Sequence, residues 1–158
     1  MKITLSQEQE KVDLDLSLLQ QEAESLARLA ERAKKGTRPW NEVVIHLLDN
    51  ADMVEINRAI MQHEGATDVI TQRYDPLPGE PEELLGELFV DLEWAVQKAP
   101  KRKGWSLDQE ILLYISHGFD HLNGEDDFTT DQRNRMRRRE LRWLKKIPLT
   151  PFVRKVIL

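Results

Sequence analysis

The sequence predicts an α+β (mixed α/β) fold in a single domain over residues 1–158. It would hold about four strands in one sheet packed with about five helices. Three observations carry this. Segments that alternate with period two or are rich in β-branched residues recur near residues 2–5, 43–49, 67–73 and 86–91. Between and after them, apolar side chains repeat at helical spacing. No repeat, low-complexity stretch or linker interrupts the 158 residues, 40% apolar and 32% charged, a balance that suits a globular chain with its own core.

The elements follow in order. "MKITLS" and "KVDLDLS" alternate apolar and polar positions and read as strand material. "LSLLQQEAESLARLAERAKKG" sets Leu18, Leu19, Ala23, Leu26, Leu29, Ala30 and Ala33 on one helical face and ends on Lys34, Lys35 and Gly36, ordinary stop signals. "EVVIHLLD" is short and β-branched, hence a buried strand. "NADMVEINRAIMQHEG" is a short helix, capped by Asn50 or Asp52 and closed by Gly65. "TDVITQRY" is a second core strand, and the prolines of "PLPGEPEE" mark a loop. "LLGELFVDLEWA" gives a third strand running into a helical piece stopped by Pro100. Residues 107–123 form the clearest helix: Ser106 is its N-cap, Glu110 lies near the capping-box position, and Gly124 stops it. Its Ile111, Leu112 and Ile115 side should face the core. A last helix starts at Thr129 or Thr130 and ends before Pro148.

Composition excludes several chemistries. There is no cysteine, so a disulfide framework, a thiolate nucleophile and a cysteine zinc knuckle are all ruled out. A transition metal would have to be held by His, Asp or Glu. No apolar run is long enough for a signal peptide or a membrane span, so a cytoplasmic protein is expected. The net charge of −5 conceals an asymmetry: residues 132–158 hold ten Lys or Arg against one Glu, a balance of +9 that leaves −14 on residues 1–131. An acidic body with a basic tail points toward a polyanionic partner, although a solvated Arg-rich helix gives the same pattern.

The chemistry concentrates in "HGFDHLNGEDD", residues 117–127. Helical residues four apart project within ~40° of each other, so His117 and His121 can address one ion. Gly124 permits a sharp exit that would return Asp127 toward the imidazoles as a third ligand, leaving a position open. Asp126 is the candidate carboxylate for orienting an imidazole, and Glu125 is expected to face solvent or the ligand surroundings. His46 and His63 compete as ligands; His46 sits in an apolar strand and His63 near a helix end. The histidine and glycine spacing also matches the elongated zinc-protease signature, but Gly118 stands where that signature needs a Glu base.

The stretch resembles the His-Gly-x-x-His-Leu-x-Gly-x-Asp-His signature of the YbeY endoribonucleases, bacterial ribosomal-RNA maturation factors. His117, Gly118, His121, Leu122, Gly124 and Asp126 match it, and Asp127 replaces the third histidine. Upstream, Asn57, Thr67, Asp68 and Val69 resemble the family's Leu-Asn-x-x-x-Arg and Pro-Thr-Asp-Val segments, and Leu85 and Gly86 its Leu-Gly-Asp-Ile strand, with Glu87 for Asp. Asp127 keeps a ligand but shifts the charge by about one unit, toward a harder metal. Met61 falls on the family's arginine, which it cannot replace toward a phosphate; Arg58, one turn earlier, is a candidate substitute. Gln72 stands where the family has phenylalanine.

The resemblance implies a metal-dependent, single-strand-specific endoribonuclease of ribosomal-RNA processing and ribosome maturation. Its ligands would be His117, His121 and Asp127, its cofactor one divalent ion, zinc by ligand type, and its partners ribosomal RNA and the small ribosomal subunit. No general base is evident; the catalytic group would be water bound to the ion, with Arg58 as the candidate catalytic side chain. Arg133, Arg137 and Arg138 would bind the RNA backbone. Trp105, Tyr114 and Trp143 are available for base stacking, or for the core. The rival expectations are a ribosome-associated assembly factor with a structural metal, favoured by a fourth ligand such as His63 or Glu125, and a metal-dependent hydrolase of another substrate.

Overall fold

A computed structural model describes residues 1–33, 40–81 and 83–157. The alternating segments form the expected sheet. Its strands are β1 (Lys2–Gln7), β3 (Glu42–Leu48), β5 (Leu85–Asp91) and β4 (Val69–Tyr74), in that spatial order. The first three are parallel, and β4 runs antiparallel along β5. Alternation assigns the faces: Val43, Ile45 and Leu47 of β3 are fully buried, while Val44 and His46 between them are half-buried. "KVDLDLS" is not part of this sheet. Its β2 (Val12–Leu14) pairs instead with an unanticipated C-terminal strand β6 (Val153–Val156) in a separate two-stranded ribbon.

Helix α1 (Leu16–Ala33) buries Leu19, Ala23, Leu26 and Ala30, the spacing of one helical stripe. The stop residues Lys34, Lys35 and Gly36 lie outside the described residues. α2 (Asn50–Ile56) covers the opposite sheet face, where Met53 meets Leu48, Ile70 and Phe89. Its cap is Asp49, not Asn50 or Asp52. Asp49 leaves β3 with extended backbone, and its carboxylate accepts the N–H of Asp52 at 3.0 Å. A π-helical turn, Asn57–Met61, extends α2 and ends at Gln62, which adopts a left-handed φ of 56°. α3 (Leu92–Lys98) passes through a 3-10 turn, Ala99–Lys101, at Pro100.

α4 (Leu107–Leu122) lies on the same face as α1 and buries Ile111, Leu112, Ile115 and Phe119 in the main core. Ser106 caps it as expected, but the reciprocal bond comes from Gln109, which occupies the third helical position. Glu110 lies one residue further on, is buried, and accepts from Arg102 and Trp105. α5 (Thr130–Lys145) has the same box from Thr129 and Gln132. The first amphipathic helix and the histidine helix share one core, and Asn123 joins them by donating to the Ala30 carbonyl at 3.0 Å. Among the described residues no helix is long and apolar enough to cross a membrane.

Two glycines set how closely α4 approaches the sheet. A Cβ at position 118 would lie 2.7 Å from Leu88 Cδ2, and one at position 86 would lie 3.1 Å from Leu122 Cδ1. Side chains at these sites would lift the histidine helix off β5.

Candidate metal centre

His117 and His121 occupy successive turns at the C-terminal end of α4. Gly124 leaves the helix with φ +93°, and its N–H donates to the His121 carbonyl at 2.9 Å. This backbone conformation is nearly free only for glycine. The chain thereby turns back, and Asp127 Oδ2 comes to 3.5 Å from the Nε2 of both histidines, which are themselves 3.0 Å apart. Tetrahedral zinc with bonds of ~2.1 Å separates neighbouring ligand atoms by ~3.4 Å. The three atoms are therefore already at ligand spacing, and they are the one such cluster found among the described residues.

The other ring nitrogens determine what these three atoms want. His117 Nδ1 lies 2.8 Å from Glu140 Oε2, and His121 Nδ1 lies 3.0 Å from the Glu125 carbonyl. Both partners only accept, so both Nδ1 atoms carry hydrogen and donate. Each Nε2 then presents a lone pair toward the other and toward a carboxylate. A cation resolves that convergence, and a proton is its competitor. Burial opposes protonation of His117, but the Glu140, Asp68 and Asp127 carboxylates outweigh it and raise the pKa above the ordinary value.

Glu140 is the functional residue that sequence reasoning missed. It was counted only as the single acid of the basic tail, yet it is fully buried on the Met136–Glu140–Trp143 face of α5. Its helical spacing with those two apolar residues was the available signal. Behind it, Asp120 accepts from Arg139 at 2.9 Å, and Arg139 also reaches Glu125 at 3.3 Å. Asp120 Oδ2 and Glu140 Oε1 are buried without a donor. Burial pushes the pKa of Asp120 up against the Arg139 guanidinium beside it, and the Glu140 and Glu125 carboxylates push it the same way.

The remaining predicted residues are dispersed. Asp126 bonds to neither imidazole among the described contacts; Glu140 and the Glu125 carbonyl take that part, and Asp126 instead lines a cavity of about 510 Å3. His121, Asp127, Asn57, Met61, His63 and Phe128 also line it. His46 is far from this group in role: it stacks on Phe89 and bridges Glu8 and Glu87 on the sheet surface. Arg58 pairs with Glu55 and Glu64, each at 3.5 Å. Arg133 donates to the carbonyls of Asp127 and Phe128 and so braces the ligand loop. Arg137 lies 3.6 Å from Glu140, whereas Arg138 is exposed and forms no ion pair among the described residues. Tyr114 and Trp143 are core residues, and Trp105 donates to Glu110. The exposed aromatic beside the centre is Phe128, 81% accessible, which the sequence did not single out. A protease-type Glu at position 118 would collide with Leu88, so that signature cannot apply here.

A family model described as Endoribonuclease YbeY matches residues 3–148. An Endoribonuclease YbeY of Rhodopirellula baltica is 37% identical over 122 residues, 77% of this chain but 61% of that relative. The namesake from Lactococcus lactis subsp. lactis is 31% identical over 135 residues, covering 75% of this chain and 82% of the relative. The one from Pelotomaculum thermopropionicum is 33% identical over 156 residues, 95% and 99% of the two chains. The solution structure of TM1509 from Thermotoga maritima superposes with a TM-score of 0.58 at 20% identity, over 91% of this chain and 87% of that one, a likeness of fold. Matched over residues 3–148 and by relatives along nearly its whole length, the chain belongs to the Endoribonuclease YbeY family.

Proposed function

We propose that this chain, acting as one domain over residues 1–158, is a metal-dependent endoribonuclease. It would cut single-stranded RNA in the cytoplasm during ribosomal-RNA processing and maturation of the small ribosomal subunit. The observation that carries the reading is the convergence of His117 Nε2, His121 Nε2 and Asp127 Oδ2 on one point beside an open cavity. The relatives' name supports the choice of RNA.

His117, His121 and Asp127 would hold one zinc ion, the metal that two imidazoles and a carboxylate suit. Bound there, the ion supplies Lewis acidity toward a phosphodiester oxygen and toward water. Glu140 and the Glu125 carbonyl keep both histidines in the ligating tautomer. Phe128 offers an exposed face on which an unpaired base can stack. Arg138 is free to meet a phosphate; Arg137 can do so without leaving Glu140, and Arg133 through donors it does not spend on the loop.

One observation favours the assembly-factor reading: Met61 is 46% exposed in the cavity wall, while the nearest arginine in sequence, Arg58, is held by two glutamates. A single experiment separates the two. Protein purified without chelator should carry one zinc per chain and cut single-stranded ribosomal-RNA fragments. His121→Ala and Asp127→Asn should lose zinc and cleavage together. Stoichiometric zinc with binding to ribosomal subunits, but no cleavage of any RNA, would replace the nuclease by the assembly factor.

A further inference from the structure

A second depression, about 260 Å3, lies beside the metal centre and is lined by cations. Lys98, Lys101, Arg102 and Arg137 face it together with Asp68 and Glu110. Glu110 is already satisfied, because it accepts from Arg102 at 3.0 Å and from the Trp105 indole at 2.8 Å. Lys101 is exposed and has no carboxylate partner among the described residues. Lys98 rests 4.7 Å over the Trp94 ring, a contact that holds the ammonium in place without neutralising it. The depression adjoins the metal centre on two sides. Arg137 lies 3.6 Å from Glu140, which bonds His117. Asp68 forms its wall, while Thr67 and Val69 on either side of Asp68 line the cavity of His121 and Asp127. These lysines belong to "KAPKRK", four cations in six residues within the otherwise acidic 1–131 body.

We infer that this depression is a backbone-phosphate subsite: it grips a single-stranded RNA that continues past the metal centre, with Lys98 and Lys101 as its phosphate ligands. The inference rests on the nuclease reading and extends it to substrate length. A strand spanning both depressions would bind through the lysines, whereas a very short one would not reach them.

The test compares Lys101→Gln, the Lys98→Gln/Lys101→Gln pair, and Lys103→Gln, which removes an equal charge from the same loop without lining the depression. Binding of 2′-O-methyl oligoribonucleotides of about 12 and about 3 nucleotides is measured across a salt series, with hydrolysis of bis(p-nitrophenyl) phosphate as the readout of the metal centre. For the longer strand, Lys101→Gln should lower the salt slope by ~0.7 and the pair by ~1.4. Lys103→Gln should leave it unchanged, and the short strand and the diester should not distinguish the variants. If native protein binds and cuts RNA but the pair keeps the native slope, the subsite is overturned and the nuclease stands. An equal loss in Lys103→Gln also overturns it, because the effect is then diffuse charge. If native protein neither binds nor cuts RNA, both fall together.

Discussion

Gly118 sits between the two demands placed on α4. As a helical residue it costs about 1 kcal/mol relative to alanine, so its presence needs a steric reason. That reason is Leu88, fully buried, whose methyl would meet a Cβ at 2.7 Å. Gly118→Ala gains helix propensity and loses more by overpacking, which in a closed core costs about 1–3 kcal/mol. The variant should be destabilised by up to roughly 2 kcal/mol in chemical denaturation. Because His117 is the adjacent residue, zinc affinity should fall with it. An unchanged midpoint and unchanged affinity would show that Leu88 simply moves aside. In the sequence this glycine reads as a missing base and as a signature match, neither of which gives its steric reason. Its contact partner lies 30 positions away, and local spacing carries no record of such a contact.

At the scale of elements, α5 does two jobs on two faces. Its outward arginines give the tail its charge, while Met136, Glu140 and Trp143 face inward. Replacing Glu140 by Gln keeps the size but weakens the acceptor that makes His117 a good ligand. Losses of this kind lower metal affinity by about 10–100-fold. Competition with a chromophoric chelator should report that drop in Glu140→Gln, with far-ultraviolet circular dichroism unchanged; native affinity would mean that Glu140 is only a core partner. The four main-sheet strands and the long helices were legible because their periodicity is local. So were His117, His121 and Asp127, because two share a helix face and the third follows a glycine turn. Other elements depend on distant partners. β6 becomes a strand by pairing Val156 with Val12 across nearly the whole chain, and no stretch of four residues announces that. The charge count likewise recorded the arginines of α5 without saying which of them brace the ligand loop.

For the molecule as a whole, the carboxyl ends of the parallel strands gather acids. Asp91 ends β5 opposite Leu48 of β3 and caps α3 through the N–H of Trp94. Burial, with Glu93 and Asp49 nearby, pushes its pKa up from 3.8 to about 7, against the two backbone N–H groups that favour its charge. Folded protein therefore holds a proton on Asp91 between about pH 4 and pH 7 that the unfolded chain releases. The contribution is fully present below the unfolded pKa and disappears as pH rises through the folded one, so stability falls across that window. Asp91→Asn has no such proton to lose. Its stability relative to the native chain should climb between pH 4 and pH 7 by up to ~1.4 kcal/mol per pH unit. Parallel denaturation curves for the two proteins would refute this. The chain's composition indicated an acidic body, but which carboxylate is forced out of water follows only from the order of the sheet.

The π-helical turn Asn57–Met61 has a consequence of a different kind. Such a turn is an α-helix that has taken in one residue too many, and each residue advances a helix by ~100°. Deleting one residue inside it would let the segment rewind to α geometry and would turn the side chains within the segment onto new directions. Met61, which lines the cavity, is among them. What faces the cavity here is therefore governed by counting as well as by chemistry. Loss of a single codon could re-aim this wall in a way that no point substitution can.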